Sequence, residues 1–200
     1  TYEANAVMYR DFLGSDEEMD RFLMGNGFIK TDLPTSHTIE NFDWKTTEEW
    51  VETLSAKSRR HVRGTILKKA PLYIVKHVEN ATERQIEHWY NLYIQVKKNS
   101  LALNTFTLPY KLFKNLAGSA NWDVLELHLK DKNLANSEAV SVIFNYKSGY
   151  SYSAMFIGVD YSLQQDFMPY RQALYQSILR AKNLGVKNLH LGYTADLEKK

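Results

Sequence analysis

The last fifty residues switch between the two periodicities that mark strand and helix. Tyr150, Tyr152, Ala154, Phe156 and Gly158 alternate with Ser151, Ser153, Met155, Ile157 and Val159, which predicts a strand with one aromatic face. Pro169 suits a first helical turn, where its missing N–H has no intrahelical partner. From there Tyr170, Leu174, Ile178, Ala181 and Leu184 recur at helical spacing until Gly185 closes the run. Asn188 to Leu191 resumes extended character. The segment reads as a strand–helix–strand crossover, which requires two parallel strands with the helix on one face. Ligands of such sheets sit at the carboxyl end of the first strand, against the helix amino terminus.

Upstream, Ser15 with Glu18, Thr46 with Glu49 and Thr82 with Gln85 have capping-box spacing and predict three helix starts. The first helix turns Met19, Phe22 and Leu23 inward and ends at Gly25 and Gly27. The second is read as one helix with a stripe of Trp50, Leu54, Ser58, Val62 and Ile66, stopped by Pro71. The third has a wide apolar face of Ile86, Trp89, Tyr90, Tyr93 and Ile94, suited to packing on a sheet. A shorter helix from Thr107 and Pro109 carries Leu112, Phe113 and Leu116 up to Gly118.

Tyr2–Phe12 reads as a weak strand or irregular lead-in, and short strands fit His37–Ile39 and Leu72–Val78. Trp122–Lys130 alternates Leu125, Leu127 and Leu129 with Glu126, His128 and Lys130, and Ala139–Tyr146 alternates in the same way. Ser148-Gly149 is a hairpin turn into the strand at Tyr150. This order predicts an α+β fold, a mixed and mostly antiparallel sheet with helices on both faces. Residues 1–41 form a helical and irregular lead-in, and residues 42–200 form one compact domain.

Composition narrows the function classes. The 200 residues are 44% hydrophobic and 24% charged, a globular balance, and the net charge of +2 does not by itself argue for nucleic acid or membrane. The absence of cysteine removes disulfides, thiolate metal sites and cysteine nucleophiles, and fits a reducing compartment, with the cytoplasm as the default. No apolar run reaches membrane-spanning length. The start at Thr1 and the charged stop at Lys200 lead us to expect a piece of a longer protein. His37, His61, His77, His88, His128 and His190 show no metal-ligand spacing, and no phosphate-cradling glycine loop or Ser–His–Asp arrangement is present. Charge does cluster locally. Lys57, Arg59, Arg60, Arg63, Lys68 and Lys69 fall within thirteen residues that contain no acid.

Two stretches together carry a family likeness: FDWKTTEEWVETLSAKSRRHVRG, and YRQALYQSILRAKNLGVKNLHLGYTADLEKK. In the first an aromatic and a leucine precede paired arginines; in the second a helix ending in alanine and glycine leads to a strand ending in glycine. From Phe42 to Lys199 the chain resembles the GNAT-type N-acyltransferases, and more closely the FemAB-like branch with its CelD-type acetyltransferase relatives. That superfamily continues past the crossover strand with a helix and two strands, so the resemblance implies a GNAT-like acyl-CoA N-acyltransferase fold that is C-terminally incomplete here. Its glycine-rich pyrophosphate loop is replaced by DYSLQQDFMPYR.

The activity implied is transfer of an acyl or aminoacyl group to an amine, with a role in cell-envelope or polysaccharide biosynthesis. The donor implied is acetyl-CoA, another acyl-CoA, or an aminoacyl-tRNA, and the acceptor a small molecule or cell-envelope precursor. The same fold also supports a non-catalytic binding module or one half of a tandem pair. The resemblance places the oxyanion contact at the backbone of Ile157, Val159 and Asp160. Amides at the predicted helix start, including those of Phe167, Met168, Tyr170 and Arg171, are candidates to face a phosphate or carboxylate, unless Asp166 caps them. The Arg171 side chain suits a donor phosphate or, equally, a solvated helix face. Arg59, Arg60 and Arg63 suit a phosphorylated ligand or the dipole of their own helix end. Tyr152, Tyr193 and His190 are the candidate proton carriers, each weighed against an ordinary packing role.

Overall fold

A computed structural model describes residues 7–9, 16–31, 36–99, 106–131, 133–134 and 137–193. The chain forms two compact units, Thr1–Pro34 and Thr35–Lys200. In the first, α1 (Glu17–Gly25) starts at Asp16, whose side chain accepts from the Met19 amide at 3.0 Å; Ser15 and most of Tyr2–Phe12 lie outside the described residues. The expected inner face of α1 is not covered. Phe22 is 65% exposed, while Met19 and Leu23 are half-buried.

The second unit carries a six-stranded sheet in the order β1-β6-β5-β4-β3-β2. Its strands are β1 (Ser36–Ile39), β2 (Tyr73–Val78), β3 (Trp122–Leu129), β4 (Ser141–Lys147), β5 (Ser151–Val159) and β6 (Asn188–Tyr193). Every pairing is antiparallel except β5 with β6, as the crossover requires. β1 lies antiparallel on the outer edge of β6, through Ser36↔Tyr193, Thr38↔His190 and Ile39↔Leu189. A helix pair, α4 (Glu83–Asn99) and α5 (Tyr110–Leu116), covers one face; α7 (Pro169–Leu184) and the segment from Trp44 to Ile66 cover the other.

The local chemistry accounts for these boundaries. Thr82 and Gln85 form the full reciprocal box at the start of α4: the Thr82 amide donates to Gln85 Oε1 at 3.0 Å and the Gln85 amide to Thr82 Oγ1 at 3.3 Å. Gly185 takes a left-handed φ of 66° and closes α7 with amide bonds to Ala181 and Lys182 carbonyls.

The single helix expected over residues 46–66 is three pieces. After α2 (Thr47–Glu52), Ser55 caps α3 (Ala56–His61) by accepting from the Ser58 amide at 3.2 Å. The chain then widens into a π-helical turn, Val62–Leu67. Ser55 competes for the backbone as an N-cap, and that local bond ends the apolar stripe.

The alternation expected of β3 fails for a different reason. Glu126 and His128 are buried along with the leucines, because helices press on both faces of the sheet.

Candidate functional site

β5 and β6 pair only at Ser151↔Asn188, Tyr152↔Leu189 and Ser153↔His190. Beyond Ser153 the two parallel strands part, and β5 runs on for six residues without a β6 partner. The parting coincides with a β-bulge. Phe144 opposes Phe156 and Asn145 opposes Ala154, so Met155 is the extra residue on β5.

The bulge also swaps faces. Tyr152, Ala154, Ile157 and Val159 pack on the α7 side, whereas Phe156 joins the α4 and α5 core. The single aromatic face expected from strict alternation is therefore split between the two sides.

The Asp160 amide donates to the Val140 carbonyl at 2.9 Å. By the alternation of an antiparallel ladder, Gly158 then bonds β4, and the Ile157 and Val159 amides turn toward the open edge. Of the three backbone positions expected to meet an oxyanion, Ile157 and Val159 have this geometry and Asp160 does not. The Asp160 carboxylate instead accepts from the Ser162 amide at 2.9 Å and its hydroxyl at 2.6 Å.

Between β5 and α7 the chain makes a 3₁₀ turn (Tyr161–Leu163) and the one-turn α6 (Gln164–Phe167), then passes through Met168 in the left-handed region at φ 55°. Here Gln164 does the capping expected of Asp166. Its carbonyl accepts from the Met168 amide at 3.1 Å and its side-chain oxygen from the Tyr170 amide at 3.4 Å, while Pro169 offers no amide. The start of α7 is thus largely closed on itself.

Side chains gather around it instead. Arg171 donates to His61, Lys69 to the Asp166 carbonyl, and the Tyr73 hydroxyl to the Phe167 carbonyl at 2.9 Å. Fully buried Gln172 donates to the Ile66 carbonyl of the π-helical turn at 2.8 Å, and its own Oε1 has no partner among the described residues. The segment from His61 to Tyr73 is docked on the start of α7 by these four bonds.

The arginine trio is divided. Arg59 donates to the Leu54 carbonyl at 2.7 Å and so caps the end of α2 from outside, and Arg63 binds both Glu48 and Glu52. These acids lie outside the basic stretch in sequence, and the break at Ser55 brings them onto it. The Arg63 hydrogen bond holds the Glu52 carboxyl below its ordinary range. Arg60 is exposed and has no ionic partner among the described residues.

Of the expected proton carriers, His190 stands where β5 and β6 part, exposed, with Nδ1 at 3.1 Å from Thr38 Oγ1. Tyr152 is fully buried and donates to Asp123 Oδ2 at 3.0 Å, and burial pushes its hydroxyl far above the usual range for a phenol. Tyr193 pairs through its backbone with Ser36; its side chain lies outside the described residues.

Two buried carboxylates escaped the reading of the sequence. Glu126 on β3 accepts from Trp89 Nε1 at 2.6 Å, His128 Nε2 at 2.9 Å and Gln85 Nε2 at 3.4 Å. Burial works to raise its carboxyl, but these three donors outweigh it and hold it below the ordinary value. It borders a cavity of about 320 Å³, together with His88, His128 and Glu138, at the end of the sheet where β5 also finishes. A signal for it existed in Trp89, whose indole N–H on an inward helix face needs an acceptor. The other is Asp123, which takes Tyr152 and Arg180. Among the described residues no group of three or more metal-ligating side chains comes together, and no helix is long and apolar enough to cross a membrane.

The family model for the GNAT acetyltransferase domain matches residues 56–200. Among solved structures, the crystal structure of FemX shares 13% identity at a TM-score of 0.59, covering 90% of this chain and 60% of its own. L-PGS from Bacillus licheniformis shares 16% at 0.51, covering 88% and 50%. At that identity the likeness is one of fold, and the chain spans only about half to three-fifths of those two proteins. No curated protein matches. With a mixed sheet, a bulged β5 that parts from its parallel neighbour, and a family match over most of its length, the chain belongs to the GNAT acetyltransferase family.

Proposed function

We propose that the domain transfers an acyl or aminoacyl group to an amine, the reaction centred where β5 and β6 part. The observation that carries this reading is the open edge beyond Ser153 and His190, with the Ile157 and Val159 amides turned to it. Those N–H groups suit the oxyanion that forms when an amine nitrogen attacks the donor carbonyl. The new C–N bond replaces the C–S bond of a thioester or the C–O bond of an ester; the nitrogen loses a proton and the leaving group gains one. His190, exposed at the mouth of the parting but about 13 Å along β5 from the Ile157 amide, is the group we assign to pass the amine proton on to solvent through intervening water.

The self-capped start of α7 favours a donor held by side chains over one whose pyrophosphate is cradled by amides. Arg171, Lys69 and Arg60 are the cations for that task, and an aminoacyl-tRNA suits them better than an acyl-CoA. The acceptor we favour is the amine of a cell-envelope or polysaccharide precursor, the class that the FemAB-like resemblance implies. Both donor classes are made in the cytoplasm, where this reading places the protein. The closed helix start also fits a second reading, a binding module on the GNAT fold that holds such a donor without transferring it.

Initial rates of the intact protein with acyl-CoA and aminoacyl-tRNA donors decide between them. Arg171→Ala is expected to lower kcat/KM for the donor by about tenfold to a hundredfold, the range for losing a charge-assisted hydrogen bond. Arg63→Ala is expected to leave it nearly unchanged, since Arg63 is engaged by Glu48 and Glu52. Equal losses in both variants would move the donor away from α7. Donor binding with no transfer from either class would favour the binding module.

A further inference from the structure

At the end of the sheet where β3 and β5 begin and β2 and β4 finish lies a cavity of about 260 Å³. His77, Trp122, Asp123, Lys147 and Arg180 line it, with the backbone around Ser119. Arg171 and Arg180 are nine positions apart on α7, so the Arg180 side of this cavity lies about 14 Å along the helix axis from Arg171 at the start of α7.

A charged pair, Asp123 with Arg180, borders the cavity. Asp123 is only 7% exposed, and its Oδ2 accepts from Arg180 Nε at 2.7 Å and from the Tyr152 hydroxyl at 3.0 Å. Among the described residues its Oδ1 accepts no hydrogen bond, and His77 Nδ1 stands 3.8 Å away. Arg180 reaches Asp123 through Nε, and its guanidinium also interacts with the Tyr152 hydroxyl, while Lys147 has no ionic partner among the described residues. A guanidinium that serves only to neutralise a buried carboxylate usually binds both oxygens through its fork. Here the second carboxylate oxygen and the guanidinium border a cavity, where a ligand with both charges can pair with each of them.

We propose that this cavity binds a small zwitterion, its carboxylate on the guanidinium of Arg180 beside Lys147 and its ammonium on Oδ1 of Asp123. A simple anion does not engage Oδ1, and a simple cation does not engage the guanidinium. The volume suits a molecule of amino-acid size and excludes a nucleotide. Because Asp123 holds both Tyr152 on β5 and Arg180 on α7, occupancy also tightens the join between that strand and that helix.

Isothermal titration of the intact protein, without any acyl donor, tests this with glycine and L-serine as probes and acetate and ethylamine as single-charge controls. One zwitterion per chain is expected, with each control at least about tenfold weaker. Lys147→Ala and Arg180→Gln are each expected to weaken the zwitterion by about tenfold while the unliganded melting temperature reports folding. Lys147 is at the end of β4 and decides the matter if Arg180→Gln does not fold. Absence of heat with both zwitterions, acetate binding as tightly as glycine, or unchanged affinity in the folded variants would each overturn the proposal.

Discussion

Replacing Gly158 with alanine is expected to cost about 3 kcal/mol of stability, the upper part of the range for forcing atoms into a filled core. A Cβ on Gly158 would stand 2.7 Å from Leu92 Cβ, 2.8 Å from the Tyr93 amide nitrogen and 3.0 Å from the Leu92 carbonyl carbon. Two of these three obstacles are backbone of α4, which cannot rotate away. β5 or α4 must shift as a body, and α4 is held through Trp89 and Leu92, both almost fully buried. For a domain of this size the loss corresponds to a fall in Tm of about 6 to 12 °C, read by calorimetry alongside a lower urea midpoint at unchanged slope. Shortening Leu92 to alanine in the same chain should bring no rescue, because alanine keeps the Cβ and the Tyr93 nitrogen is untouched. A Gly158→Ala protein that melts within a degree of the parent would show that strand and helix do not approach this closely. The same substitution bears on function, since Gly158 lies between the two residues whose amides face the open edge of β5.

How much of this was legible in the sequence depended on whether an element answered to one neighbour or two. The crossover read well because Pro169, the apolar repeat of α7 and Gly185 all point to the same helix, and the third capping box read well because both of its partners are local. The bulge at Met155 did not, since neither Met155 nor its neighbours is a glycine or proline that would announce an extra residue. One unannounced residue was enough to send Phe156 to the opposite core from Tyr152. The arginine cluster misled for a related reason. Its acids, Glu48 and Glu52, precede it, and only the turn capped by Ser55 lays them against Arg63.

Likewise, the proton carriers were chosen by residue type at the crossover, and only His190 has its described side chain exposed at the parting. Tyr152 belongs to the buried polar group of Asp123, Asn145, Ser177 and Arg180 that ties β3, β4 and β5 to α7. Nothing in the alternation of a single strand signals such a group, because its members are brought together from four elements.

Glu126 shows what such a buried group contributes. Glu126→Ala is expected to cost about 3 to 5 kcal/mol, because it leaves a buried donor set without its acceptor. Trp89 Nε1, in a side chain with no exposure, and His128 Nε2 both lose the carboxylate that accepts from them. Glu126→Gln keeps an oxygen for Trp89 and should cost less; its value lies in the dependence on pH. The carboxyl is held below its ordinary value of 4.5, so the parent's advantage over Glu126→Gln should be complete above that value. It should then shrink as pH falls through the lower folded-state value, where the carboxylate takes up a proton and its charge-assisted bond with His128 is lost. Urea midpoints of the two proteins measured down the acid limb give that difference directly. A gap that stays constant or widens on acidification would mean that the charge of Glu126 contributes nothing and that only its shape is needed. A Trp89→Phe partner in a double-mutant cycle then separates the indole bond from the histidine bond, and a coupling near zero would assign the stabilisation to His128 alone.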